Sequence, residues 1–199
     1  MPKIVDHESR RRDFIEAAYT TILEEGFANT TVRAIAKKAG YTTGALLHYF
    51  GDKDKLIRQA LDHFGKEMRA RMELAHRDAT GRQALRRILL EALPTDRRSG
   101  ASWRVWLALW YHSERTDDMR QEQKRRYKEW LGRVGEVLKE SVALGELPPT
   151  IDAAAEARSL VAFIDGLGVQ YLMASGNLSG KRLQKLLDGY LSRLYGGGG

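Results

Sequence analysis

Thr31, Gly40, Thr42, Gly51 and Asp52 alternate helix-starting residues with helix-stopping ones at close quarters. Threonine and aspartate side chains accept from the free N–H groups of a first helical turn. Glycine tolerates the left-handed conformation in which helices end. Between these marks lie "VRAIAKKA" and "TGALLHYF". The first gathers Val32, Ile35, Ala36 and Ala39 on one face, and the second sets Leu46 and Phe50 one turn apart. The spacing therefore predicts a short helix, a tight glycine-bearing turn and a second short helix over 32–49, the dimensions of a helix-turn-helix.

The same punctuation organises the rest of the chain. Ser9 is expected to cap a first helix whose apolar face is Phe14, Ala18 and Ile22, ended at Gly26. Asp52 is expected to cap a long helix from Lys53 to about Arg77. Further helices are expected at 81–93, closed by Pro94, and at 101–115, 117–145, 152–175 and 179–195. Periodicity near 3.6 runs throughout, and no alternating strand pattern is present. The expected fold class is all-α: an N-terminal three-helix helix-turn-helix domain, then a larger helical domain. The boundaries read as 1–52, 53–195 and a flexible glycine tail at 196–199.

Composition removes several functions. Of the 199 residues, 43% are hydrophobic, enough for a packed core. There is no cysteine, which excludes disulfides, thiolate zinc sites and a cysteine nucleophile and fits a reducing cytosol. The opening "MPKIVDHESRRRDF" has no apolar core of a secretory signal, and no apolar run approaches a membrane span of about 20 residues. A cytoplasmic chain with no membrane partner is the expectation. The formal charge of +7 favours an anionic partner. Residues 1–58 carry ten basic against eight acidic side chains, so net charge does not locate the site.

In a helix-turn-helix the second helix enters the major groove with its N-terminal residues toward base edges. Thr42 and Thr43 place hydroxyls and free N–H groups at that end, where phosphate binds. Gly44 costs up to about 1 kcal/mol against alanine inside a helix, a cost with a use where nucleic acid comes close. Ala45 and the Thr43 methyl suit thymine methyls, and the Arg33 fork suits guanine. Tyr49 and Lys53 follow as phosphate donors, with "SRRR" at 9–12 as a further basic contributor. Leu46 and Phe50 face inward in this reading. Spacing alone leaves a second reading open: a packing hairpin in which Gly44 lets two helices touch.

The ordered stretch "FIEAAYTTILEEGFANTTVRAIAKKAGYTTGALLHYFGDKDKLIRQAL", Phe14 to Leu61, resembles the DNA-binding domain of TetR-family transcriptional repressors. "WRVWLALWYHS" (103–113) and "LVAFIDGLGVQYLMASG" (160–176) resemble segments of its BetI-like branch, repressors of choline-to-betaine genes. The resemblance implies that Thr43, Gly44 and Ala45 face the major groove, with Arg33 reaching a base from the preceding helix. Thr31, Thr42, Tyr49 and Lys53 would hold phosphates, while His48 would lie exposed beside the groove. It implies a homodimer seamed by the last two helices, with Ile164, Gly168, Leu183, Leu187, Tyr190 and Leu194 at the seam. Asp52 and Asp54 depart from the pattern by flanking Lys53 and weakening the positive potential there.

No catalytic constellation is visible. The histidines form no metal-ligand spacing. "GNLSGKR" is one residue short of a phosphate loop, and "GLGVQY" lacks both the third glycine and the preceding strand of a dinucleotide fingerprint. No cofactor is expected. Trp103, Trp106 and Trp110 recur at i, i+3 and i+7, with Tyr111 beside them and Tyr127 and Trp130 on the next helix. Aromatic faces bind organic cations at roughly 0.5–2 kcal/mol per contact, and Asp165 or Glu114 offers a carboxylate. The same stripe also reads as plain core. The expected function is a dimeric repressor released from palindromic operator DNA by a small apolar or cationic effector. The alternatives are an architectural DNA binder without effector and an all-helical enzyme.

Overall fold

The computed structural model describes residues 3–27, 29–113, 117–173 and 178–196, with the side chains of 3–6, 97, 98, 109, 111 and 112 outside that description. Among the described residues the structure is all helix: α1 (Lys3–Glu25), α2 (Val32–Ala39), α3 (Thr43–Phe50), α4 (Lys53–Arg77), α5 (Gly81–Ala92), α6 (Arg97–Ser113), α7 (Asp117–Ala143), α8 (Ala153–Met173) and α9 (Gly180–Gly196). None of these helices is long and apolar enough to cross a membrane. The chain divides into two compact units, Met1–Arg69 and Ala70–Gly199. The division therefore falls inside α4 and not at its start. The reason is packing: Leu56, Ile57, Ala60, Leu61 and Phe64 of its first half are all buried.

The first unit is built on Phe14, Ala18 and Ile22 of α1, which are at most 1% exposed and run as the i, i+4, i+8 stripe requires. Ile35 and Ala36 of α2 and Leu46 and Phe50 of α3 close the core. Phe14 is its aromatic hub, with ring centroids 4.9 Å from Tyr41, 5.6 Å from Tyr49 and 6.0 Å edge-on from Phe50. Helix α1 begins at Lys3 and runs through Ser9, so the capping signal at Ser9 is overridden. The added turns carry His7 onto Tyr49, a contact between residues far apart in sequence that a local cap signal does not contain.

The second unit packs α5, α7, α8 and α9 around Leu85, Ile88, Leu89, Val134, Leu138, Leu160, Leu183 and Leu187. Helix α6 starts four residues earlier than the sequence spacing indicated. Asp96 caps it reciprocally with Ser99: Ser99 N–H donates to Asp96 Oδ1 at 2.7 Å, and Asp96 N–H donates to Ser99 Oγ at 3.0 Å. Helices α5 and α9 are pinned by a two-pronged Arg86–Asp188 pair, at 2.5 and 3.0 Å. Gly168 of α8 lies under the Trp103 ring and Gly100 of α6 under Tyr171, where an added Cβ would collide with either ring. These close approaches run α6 and α8 antiparallel along that stretch.

Candidate functional site

The helix-turn-helix is assembled from its caps. Ala34 N–H donates to Thr31 Oγ1 at 3.1 Å, and Ala45 N–H donates to Thr42 Oγ1 at 3.2 Å. Each hydroxyl spends only its acceptor side on the cap and keeps a proton to donate outward. Gly40 takes φ of 77°, the left-handed conformation that lets Tyr41 N–H reach back to Ala36 carbonyl at 2.9 Å. Gly51 ends α3, and Lys55 N–H donates to Asp52 Oδ1 at 2.7 Å to cap α4.

These ends fix which face of α3 looks outward. Leu46 and Phe50 are at most 4% exposed. Thr43, Gly44, Leu47 and His48 are exposed, and Ala45 is half-buried at the edge of that face. Sequence reasoning left out Leu47, although it lies one turn beyond Thr43 and is 42% exposed. Helical spacing from Leu46 and Phe50 was signal enough to find it. A Cβ on Gly44 would meet only Thr42 Oγ1, at 3.9 Å. No neighbour within the unit requires a glycine there, so the packing-hairpin explanation has no contact to rest on.

The polar groups around α3 are largely unspent. Arg33 is exposed, and among the described residues neither it nor Lys53 has an ion-pair or hydrogen-bond partner. Asp52 is occupied: its second oxygen pairs with Lys55 at 3.6 Å. The Lys55 backbone N–H, hydrogen bonded to its first, holds the carboxyl below the usual range. The acid flanking Lys53 is thus turned to capping α4 and pairing with Lys55. Tyr41 donates to Asp13 Oδ2 at 3.2 Å, whereas the Tyr49 hydroxyl has no partner among the described residues.

The aromatic region sorts differently. Trp103 is 5% exposed, its indole N–H donates to Ala92 carbonyl at 2.8 Å, and its ring covers Gly168. It is core, and its place among effector contacts is corrected on that ground. Trp106 and Trp110 are half-buried with ring centroids 6.2 Å apart, and Trp130 is half-buried. Tyr127 donates to Asp165 Oδ2 at 2.9 Å. Burial pushes Asp165 above the usual carboxylate range, and burial with the Asp165 hydrogen bond pushes Tyr127 up to about 12. The side chain of Tyr111 and all of Glu114 lie outside the described residues. Among the described residues no His, Asp or Glu cluster is arranged to hold a metal.

The expected dimer seam also needs correction. Ile164, Leu183 and Leu187 are at most 1% exposed, and Gly168 is buried under Trp103. All four are spent inside the chain's own core and have no area left for a second copy. Tyr190 and Leu194 stay half-buried, beside Phe163 and the 40% exposed Leu186. A groove of about 730 Å³ runs between α8 and α9 past Phe163 and Leu186, rimmed by Lys181, Arg182, Lys185 and Arg193.

Residues 14–60 match the model of bacterial regulatory proteins of the tetR family, and residues 81–196 match that of the BetI-type transcriptional repressor C-terminal domain. The regulator BetI of Stenotrophomonas maltophilia is 31% identical over 96% of this chain and 95% of its own length. PksA of Bacillus subtilis, also a helix-turn-helix transcriptional regulator, is 30% identical over 94% and 90%. A transcriptional regulator from Saccharomonospora viridis, solved in complex with choline, superposes with a TM-score of 0.86. It covers 93% of this chain and 96% of that one at 24% identity, a likeness of fold.

Proposed function

The chain belongs to the TetR family of transcriptional regulators, with a BetI-type C-terminal domain, and from that premise we propose that it is a homodimeric repressor of palindromic operator DNA, released by a small organic cation. The observation that carries the DNA half is Gly44, an exposed helical glycine that nothing in its own unit requires. Around it Thr43, Ala45 and Leu47 offer methyl groups to thymine, and Arg33 offers a fork to guanine. Thr31, Thr42, Tyr49 and Lys53 offer donors to phosphates on either side. Phosphate contacts set register and base contacts set sequence, so the two groups have different consequences when removed.

In this reading a second copy seats on the outward faces of α8 and α9, through Phe163, Leu186, Tyr190 and Leu194. The recognition helices of the two copies then enter successive major grooves about 34–36 Å apart. Release follows when an effector prefers the conformer with a different spacing, and only its differential affinity does that work. The effector site proposed is Asp165, with Trp106, Trp110, Tyr127 and Trp130. A carboxylate raised by burial and bonded to one phenol gains most from a cation brought to it. The choline bound by the Saccharomonospora viridis relative supports that class of ligand.

The test of the DNA reading is selection of duplexes from a randomised pool by the full-length protein, followed by footprinting. Enrichment of a palindrome protected by a dimer is expected; recovery of unrelated sequences with no common site would contradict it. For the effector, thermal melting with choline and with its neutral carbon isostere is the measurement. Stabilisation by choline alone is expected, and equal shifts or none would remove the cation site.

A further inference from the structure

Tyr49 is held on two sides. Its ring lies 5.6 Å from Phe14, which is fully buried, and 4.3 Å from the exposed imidazole of His7 at a tilt of 36°. His48 meets it edge-on at 6.0 Å. Phe14 thus backs the ring from the core and His7 covers it from outside. The hydroxyl at its tip has no partner among the described residues, unlike that of Tyr41. A tyrosine whose ring is fixed but whose hydroxyl is unspent, at the C-terminal end of α3, is prepared to donate in one direction. Fixing it beforehand removes the rotamer entropy that binding would otherwise cost. His7 does the fixing because the early start of α1 at Lys3 brings helical backbone under it.

We propose that His7 is a positioning residue for DNA binding: its imidazole stacks on Tyr49 and aims the phenol at an operator phosphate, making the first turns of α1 part of the recognition surface. This rests on the DNA reading of α3. Two other roles for His7 are distinguishable from it: direct contact with a phosphate through the ring nitrogens, and no role at all. A stack depends on an aromatic face and needs no ring nitrogen, so phenylalanine preserves it. Direct contact needs the nitrogens, so phenylalanine abolishes it.

The experiment titrates one duplex, selected from a randomised pool by the wild-type chain, with full-length wild type, His7→Ala, His7→Phe, Tyr49→Phe and the His7→Ala/Tyr49→Phe double variant. Melting of each variant is measured alongside; His7 is exposed, so unchanged melting is expected for both His7 variants. His7→Ala should weaken binding about threefold to tenfold, the worth of one hydrogen bond. His7→Phe should restore wild-type affinity, and the double variant should bind no more weakly than Tyr49→Phe. Wild-type affinity in His7→Ala would overturn the proposal. So would failure of His7→Phe to rescue, or a His7→Ala effect that persists in full on the Tyr49→Phe background. Failure of the DNA reading itself shows earlier and separately, as a selection that enriches no sequence, and it would overturn both.

Discussion

The turn between α2 and α3 and the helices α8 and α9 were both expected to present residues to a partner, yet the protein treats them in opposite ways. Around α3 the named side chains end outward with their chemistry unspent: Arg33 and Lys53 have no partner among the described residues, and Thr31 and Thr42 retain a proton to donate. On α8 and α9, Ile164, Leu183 and Leu187 are consumed by the core of their own chain. Trp103 is consumed in the same way on α6. The difference teaches that a polar residue with a local job advertises its orientation, whereas an apolar one says only that it is covered by something.

The largest effects should come from the consumed residues. Leu187→Ala removes a fully buried side chain and should cost about 2–5 kcal/mol of stability, read by denaturant unfolding. Leu186→Asp, on the outward side of the same helix, should leave the protomer folded while shifting sedimentation from dimer to monomer. If Leu187→Ala instead stayed stable and only lost its dimer, the assignment of inner and outer faces on α9 would be reversed. Next come Arg33→Ala and Thr43→Ala, each expected to weaken operator binding by about 1–3 kcal/mol and to relax selectivity at particular base pairs. Lys53→Ala should weaken all sequences alike and flatten the salt dependence. Identical behaviour of the three would erase the division between reading and positioning.

Asp165→Asn should reduce choline affinity about tenfold, or roughly 1.4 kcal/mol, by isothermal titration. The pH dependence has a definite sign. Burial raises the Asp165 pKa in the folded state, so the folded form favours the protonated acid, and ionisation at higher pH weakens folding. A cation needs the ionised form. Choline should therefore bind less well as pH falls toward and below the raised carboxylate pKa, and this dependence should vanish in Asp165→Asn. A choline affinity that is flat with pH in the wild type would remove Asp165 from the site.

How far the sequence was legible follows the same line. Thr31, Thr42 and Asp52 were readable as caps because a cap is made within three residues, by side-chain types that do little else so well. The inward setting of Leu46 and Phe50 followed from the helix period once those ends were known. Which apolar face of α9 turns inward was not readable: Leu183 and Leu187 form one stripe, Leu186 and Tyr190 another, and both carry the same period. The answer depends on Leu85, Ile88 and Leu160, residues far away in the chain that complete the same core. Trp103 was misplaced for the same reason, since its partners Ala92 carbonyl and Gly168 lie on two other elements. The early start of α1 is not legible locally, because Ser9 carries a good capping signal, while the contact made by the added turns, His7 on Tyr49, joins distant residues.

The smallest change isolates the central claim, that the outward face of α3 is shaped for close approach to DNA. Gly44→Ala adds one methyl group to an exposed helical position where it would touch only Thr42 Oγ1, at an ordinary 3.9 Å. Alanine favours the helix by up to about 1 kcal/mol over glycine, so the variant should melt at higher temperature than the wild type. Its affinity for the selected operator should nevertheless fall. Stability and binding moving in opposite directions, measured on one preparation by melting and by duplex titration, is the predicted result. A variant that is more stable and binds the operator as tightly as wild type would contradict the account.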